Sequence, residues 1–237
     1  MTTLPADMHL DLGCGKFPRN PYDRAQLCGV DIRGLQPAAG FDYRPANLTL
    51  EPIPYADNVF GSVSAFDFIE HIPRLLATAD GTQTFFPFIR LMDEVWRVLA
   101  PGGLFYALTP AFPNPEVFVD PTHVNVITDK THEYFCGENP LGRMYGFRGH
   151  FTVRRAMWAD QTPAFKADFK PPQAPGMPSV PPVPGHKRLA RSVRDSVRWL
   201  RGKPGGSGMH ETRGCPPRLI YFLWELEAVK SMPQQET

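Results

Sequence analysis

Cysteine is scarce and scattered. Cys14, Cys28, Cys136 and Cys215 have neither the paired spacing of a zinc site nor the density of a disulfide framework, and they read as reduced thiols with no metal among them. Also missing is any apolar run near the roughly 20 residues of a membrane-spanning helix, or a charged-then-apolar leader at the start. A cytoplasmic protein is the expectation. Net charge is close to absent, at +1. That balance hides a division: residues 160–218 carry 11 Lys/Arg against 4 Asp/Glu, and the rest carries 14 against 20. An acidic domain therefore holds a basic insertion, in which seven prolines between Pro171 and Pro184 oppose both helix and central strand.

At 237 residues the chain suits one α/β domain with an added segment. Met8 to Leu12, Gln26 to Ile32, Phe41 to Leu48, Val59 to Phe66 and Leu104 to Leu108 read as successive strands. Between the first two, Pro18, Asn20 and Pro21 stand where a nucleotide-binding fold places a helix, so that helix is expected to be short or absent. Gln83 to Leu99 is the strongest helix, with Phe85, Phe88, Met92, Val95 and Leu99 on one face and Pro101-Gly102-Gly103 ending it. Thr128-Asp129 is placed to cap a helix through Phe135. His150 to Trp158 and Arg218 to Val229 are two final strands, expected to pair while 160–217 loops out. The domain then comprises 1–159 with 218–237. Alternation of strand and helix predicts a mostly parallel sheet with helices on both faces.

A sulfonium nucleoside needs a close backbone approach, a carboxylate for its ribose and a flat apolar slot for adenine. The chain offers Gly13 and Gly15, then Asp31 at the end of the second strand, then Asn47-Leu48 after the third. Pro18 occupies the third glycine position of Gly-x-Gly-x-x-Gly, which argues against a nicotinamide site.

Five segments, His9-Leu10-Asp11-Leu12-Gly13-Cys14-Gly15, Gly29-Val30-Asp31, Ile53 to Asn58, Ile69-Glu70-His71-Ile72 and Arg97 to Gly103, resemble the successive motifs of class I S-adenosylmethionine (SAM)-dependent methyltransferases. The reduced first connection is similar to that of small bacterial members. The resemblance implies a Rossmann-like seven-stranded sheet with its last strand antiparallel, and SAM as methyl donor. It also implies a cofactor set of Asp11, Gly13, Cys14, Gly15, Asp31, Ile32, Asn47, Leu48 and Phe66. Gly61 and Asn47 depart from the family, which usually has Asp at the first position and often at the second.

An alcohol acceptor requires proton removal, so groups after the fourth and fifth strands are candidates. His123 and Asp120 are the first, because Asp120-Pro121-Thr122-His123-Val124 resembles a stretch in methyltransferases of cell-surface polysaccharides. That gives a small molecule or glycan as the expected acceptor. His71 is a further candidate, although Glu70-His71 also suits a structural role at a helix start. Phe112, Tyr134, Phe135, Tyr145 and Phe147 are candidate acceptor-pocket aromatics, with core packing as the alternative.

In the insertion, residues 186–201 form an amphipathic helix on a wheel, with Leu189, Val193, Val197 and Leu200 within roughly 80° and six Lys/Arg opposite. Packing on the chain's own domain, peripheral docking on an anionic membrane and nucleic-acid binding are its alternatives. Basic charge confined to one segment disfavours nucleic acid. A SAM-binding protein without catalysis, using the insertion to bind a membrane or partner, is the alternative to an enzyme.

Overall fold

A computed structural model of the chain describes residues 7–34, 40–159 and 220–230. Seven strands make one sheet: β1 Met8–Leu12, β2 Gln26–Asp31, β3 Asp42–Pro45, β4 Phe60–Phe66, β5 Leu99–Pro110, β6 Phe151–Ala159 and β7 Tyr221–Ala228. Their order is β3-β2-β1-β4-β5-β7-β6. Neighbours among β1 to β5 pair in parallel, whereas β7 runs antiparallel to both β5 and β6. The two last strands thus pair as neighbours, as expected.

One α-helix is found among the described residues, α1 Pro87–Val98. It starts later than its hydrophobic pattern because Pro87 sits at its first turn and Thr84–Phe85 pairs with Leu76–Ala77 in a small hairpin. Phe88, Leu91, Met92, Val95 and Val98 pack with Leu10, Leu12, Val30 and Val63 into the main core. The expected helix through Phe135 is a 3-10 segment, Thr131–Phe135, steadied by a Thr128 carbonyl that accepts from the Thr131 N–H. Pro101-Gly102-Gly103 does not separate helix from strand. It forms a bulge inside β5, where Phe60 faces Leu99 and Ser62 already faces Leu104.

Helices on both faces are not observed in the described residues, and the strand sequence explains why. Leu10 and Leu12 alternate with His9 and Asp11, so β1 turns an apolar face toward α1 and a polar one away from it. His9 bonds the hydroxyls of Ser62 (2.8 Å) and Ser64 (2.9 Å) on β4, and Ser64 donates to Asp11 at 2.6 Å. All four side chains are fully buried. A non-helical connection covers them: the Arg19 N–H donates to Asp11 (2.8 Å), and Tyr22 lies beside His9 and Tyr106. An apolar helix here would leave this polar ladder unsatisfied. Burial pushes Asp11 up to about 7 and His9 down to about 3.

None of the helices among the described residues is long and apolar enough to cross a membrane. The expected basic insertion, 160–217, and its helix at 186–201 lie outside the described residues.

Candidate functional site

The parallel strands all end at one edge of the sheet, and the chain order reverses between β1 and β4. This is where open α/β sheets place ligands. A cleft of about 340 Å³ opens there, lined by Gly13 after β1, Asp31, Ile32 and Arg33 from β2, Asn47 and Leu48 after β3, and Asp67, Phe68 and His71 after β4.

Gly13 has φ +66°, and a Cβ on it would lie 2.6 Å from the Phe68 ring. Only glycine keeps both the left-handed turn and the opening between β1 and the segment after β4. Asp31 is 5% exposed, and its carboxylate accepts from the Gly15 N–H (3.0 Å), the Arg33 N–H (3.0 Å) and the Arg33 guanidinium (2.8 and 2.9 Å). Burial opposes its ionisation, yet these bonds outweigh that and hold the carboxyl below its ordinary range. Asn47 accepts from the Thr49 N–H at 3.1 Å, and its turn is fixed by Glu51 and by Arg90 of α1, which binds the carbonyls of Thr49 and Leu50.

Five expected cofactor residues therefore line the cleft: Gly13, Asp31, Ile32, Asn47 and Leu48. The other four do not. Asp11 is buried beneath the turn on Ser64 and Arg19, Cys14 packs its sulfur against Gly29, and Gly15 serves the cleft through its N–H to Asp31. Phe66 is core, next to Tyr106 with the Arg19 guanidinium over its ring. Arg33 and Phe68 are cleft residues that motif reading missed; Asp67, a candidate through its place after the fourth strand, lines the cleft as well.

The expected catalytic residues come together on the far rim. His71 and His123 meet edge to face with ring centroids 4.7 Å apart, and the His123 Nε2 lies 3.8 Å from Asp120. His71 lines the cleft, and His123 stands behind it. Each ring is oriented through Nδ1: His71 donates to the Thr122 hydroxyl (3.0 Å) and carbonyl (3.2 Å), and His123 to the Val117 carbonyl (2.7 Å). The Thr122 hydroxyl in turn donates to Asp120 at 2.6 Å. Asn125 ties the two segments: its N–H donates to the Glu70 carbonyl (2.9 Å) and its amide to the Ile69 carbonyl (3.0 Å). Burial pushes Glu70 up to about 8, and Asp67 is also raised by burial.

A second cavity of about 470 Å³ is lined by Arg74, Phe86, Phe88, Tyr134, Phe135 and Tyr145 among others. Arg74 donates to Asn125 at 2.6 Å, linking this wall to the histidine segment. Of the expected pocket aromatics, Tyr134, Phe135 and Tyr145 line it. Phe147 is buried core, and Phe112 is exposed elsewhere.

The order β3-β2-β1-β4-β5-β7-β6, parallel but for β7, decides the architecture. It is the Rossmann-like methyltransferase fold. No family model and no curated protein sequence matches the chain. Among solved structures, a chain from the complex of the Haloferax volcanii Trm112 methyltransferase activator with a methyltransferase is similar at 12% identity and a TM-score of 0.49, covering 95% of this chain and 84% of that one. The (4+2)-cyclase SpnF is similar at 16% identity and 0.48, over 94% and 75% of the two chains. Geranyl diphosphate C-methyltransferase from Streptomyces coelicolor, in complex with Mg2+, geranyl diphosphate and S-adenosyl-L-homocysteine, gives 16% and 0.44, over 95% and 72%. SAM or S-adenosyl-L-homocysteine accompanies several such structures.

Proposed function

We propose that this chain is a SAM-dependent methyltransferase acting at an oxygen of a small-molecule, glycan or lipid-linked acceptor. One observation carries the reading: a glycine turn, a carboxylate and an Asn-Leu pair from three successive strands face one cleft at the switch point, with a histidine on its rim.

The residues present fit the cofactor. Gly13 leaves backbone exposed where a Cβ would close the cleft, which suits the methionine part. Asp31 suits the ribose diol, with the Arg33 side chain swinging away to free two acceptor positions. Asn47 offers an amide to the adenine edge, and Leu48 and Ile32 offer apolar surface to its faces. Bound there, SAM supplies an electrophilic methyl group on a good leaving sulfur, so alignment of the acceptor is the main demand on the protein. The second cavity, walled by Tyr134, Phe135 and Tyr145, is the proposed acceptor site.

His71 and His123 are the groups that assist loss of the acceptor's hydroxyl proton, because each has its Nδ1 proton held by an oxygen and Nε2 left basic. Asp120 acts behind them through Thr122. Methyl-labelled SAM, offered with panels of free, nucleotide-linked and lipid-linked sugars, tests this. Label should enter a hydroxylated acceptor, and His71→Ala should suppress transfer while retaining SAM binding. Transfer at undiminished rate in His71→Ala and His123→Ala removes the histidines from the mechanism.

A further inference from the structure

Glu70, His71 and His123 converge from two segments, the turn after β4 and the loop after β5. One ligand atom from each lies within 4.8 Å of those from the other two. We propose that these three side chains bind one divalent transition-metal ion, of the zinc, manganese, iron(II) or cobalt class, against the wall of the cleft.

The carboxylate supplies the first argument. Glu70 is fully buried, and its Oε2 accepts from the Thr109 hydroxyl at 2.8 Å, while Oε1 has no hydrogen-bond partner. A buried acceptor left in this way calls for an explanation, and a cation provides one. The imidazoles supply the second. Metal-bound histidines characteristically donate their other ring N–H to a carbonyl or carboxylate, which fixes tautomer and orientation. Both rings here already do so through Nδ1, on the Thr122 and Val117 carbonyls, which leaves Nε2 of each for the ion; the His123 Nε2 also has the Asp120 carboxylate 3.8 Å away. Asn125 braces the arrangement from outside, holding the Ile69 and Glu70 carbonyls to the chain that carries His123.

Two imidazoles and one carboxylate suit borderline transition metals better than magnesium or calcium, which prefer all-oxygen sets. Three protein ligands leave coordination positions open. Because His71 also lines the cleft, an acceptor hydroxyl can take an open position and be polarised there; with both Nε2 lone pairs on the ion, this polarisation replaces proton removal by the free imidazoles. That role rests on the methyl-transfer reading, but the existence of the site does not.

The test uses the full chain stripped with a chelator, then titrated with Co2+, read by its visible absorption, and with Zn2+, read by competition with a chromogenic indicator. One ion per chain is expected. Glu70→Gln, His71→Ala and His123→Ala should each weaken binding by about 100-fold or more, beyond the 10–100-fold typical of losing an outer partner. His150→Gln, at the opposite end of the sheet, should bind as the parent does. Circular dichroism checks folding; if Glu70→Gln unfolds, the more accessible His123→Ala decides alone. No uptake at micromolar metal, or uptake unchanged in His123→Ala, overturns the site. SAM titrated into the stripped chain separates the two proposals: SAM binding without metal uptake removes only the metal, and metal uptake without SAM binding removes only the cofactor reading.

Discussion

On the proposed reading, Arg33 occupies the position that the ribose of SAM would claim. The Asp31 carboxylate offers about four acceptor positions. Two are filled by backbone N–H groups of Gly15 and Arg33, and two by the Arg33 guanidinium at 2.8 and 2.9 Å. The backbone donors are fixed by the turn, whereas the Arg33 side chain is 61% exposed and can leave. An exposed ion pair is worth about 0–1 kcal/mol, and the two-bond geometry puts this one near the upper end. Removing the competitor should therefore tighten SAM binding by up to about fivefold in Arg33→Ala, since 1.4 kcal/mol is about tenfold. Isothermal titration reads it directly. S-adenosylhomocysteine, which lacks the sulfonium charge, separates causes: an equal gain with both ligands means that Asp31 was uncovered, and a gain with SAM alone means that charge repulsion was relieved. Weaker binding of both ligands to Arg33→Ala would refute the reasoning, because the guanidinium would then be gripping the cofactor.

Two further outcomes follow from buried polar groups. Asp11, raised by burial, favours the folded state below its unfolded pKa and loses that contribution as pH rises toward about 7; His9, lowered by burial, opposes folding as pH falls from 6.5 toward about 3. The two slopes offset each other in the parent, so Asp11→Asn should be more acid-sensitive, its Tm falling more steeply than the parent's between pH 6.5 and 4; parallel Tm curves would contradict this. Arg97 binds Glu94, Asp57 and the carbonyls of Ile53 and Tyr55, and Glu94 also accepts from the Ile53 N–H. Arg97→Met strands that buried carboxylate and should cost about 3 kcal/mol, a Tm drop of about 6–12 °C by calorimetry. A drop below about 2 °C would show that the ties are dispensable.

The Arg97 network also shows what motif reading can see. Ile53 to Asn58 and Arg97 to Gly103 looked like separate family signatures, and in the fold they are two halves of one clasp between α1 and the loop before β4. Strands were legible because their apolar runs are short and punctuated, and the missing first helix was legible from Pro18 and Pro21. The second helical layer was expected from strand alternation. Among the described residues that face is covered instead by the connection that satisfies His9 and Asp11, whose pairing with Ser62 and Ser64 depends on a register that local sequence does not state. Asp31 and Asn47-Leu48 could be placed because strand ends reach the cleft. Asp11 and Phe66 lie in the interior rather than on the cleft wall, a placement set by strand alternation. The meeting of His71 with His123 spans 52 positions and rests on Asn125, which no spacing rule singles out.

The central claim is that the cleft between Gly13 and Asp31 holds SAM. Isothermal titration of the chain with SAM and S-adenosylhomocysteine tests it most directly, with Asp31→Ala in parallel. The account predicts one site per chain for both ligands, weakened at least about tenfold by Asp31→Ala through loss of two charge-assisted hydrogen bonds. Absence of binding, or binding unchanged in Asp31→Ala, would contradict it.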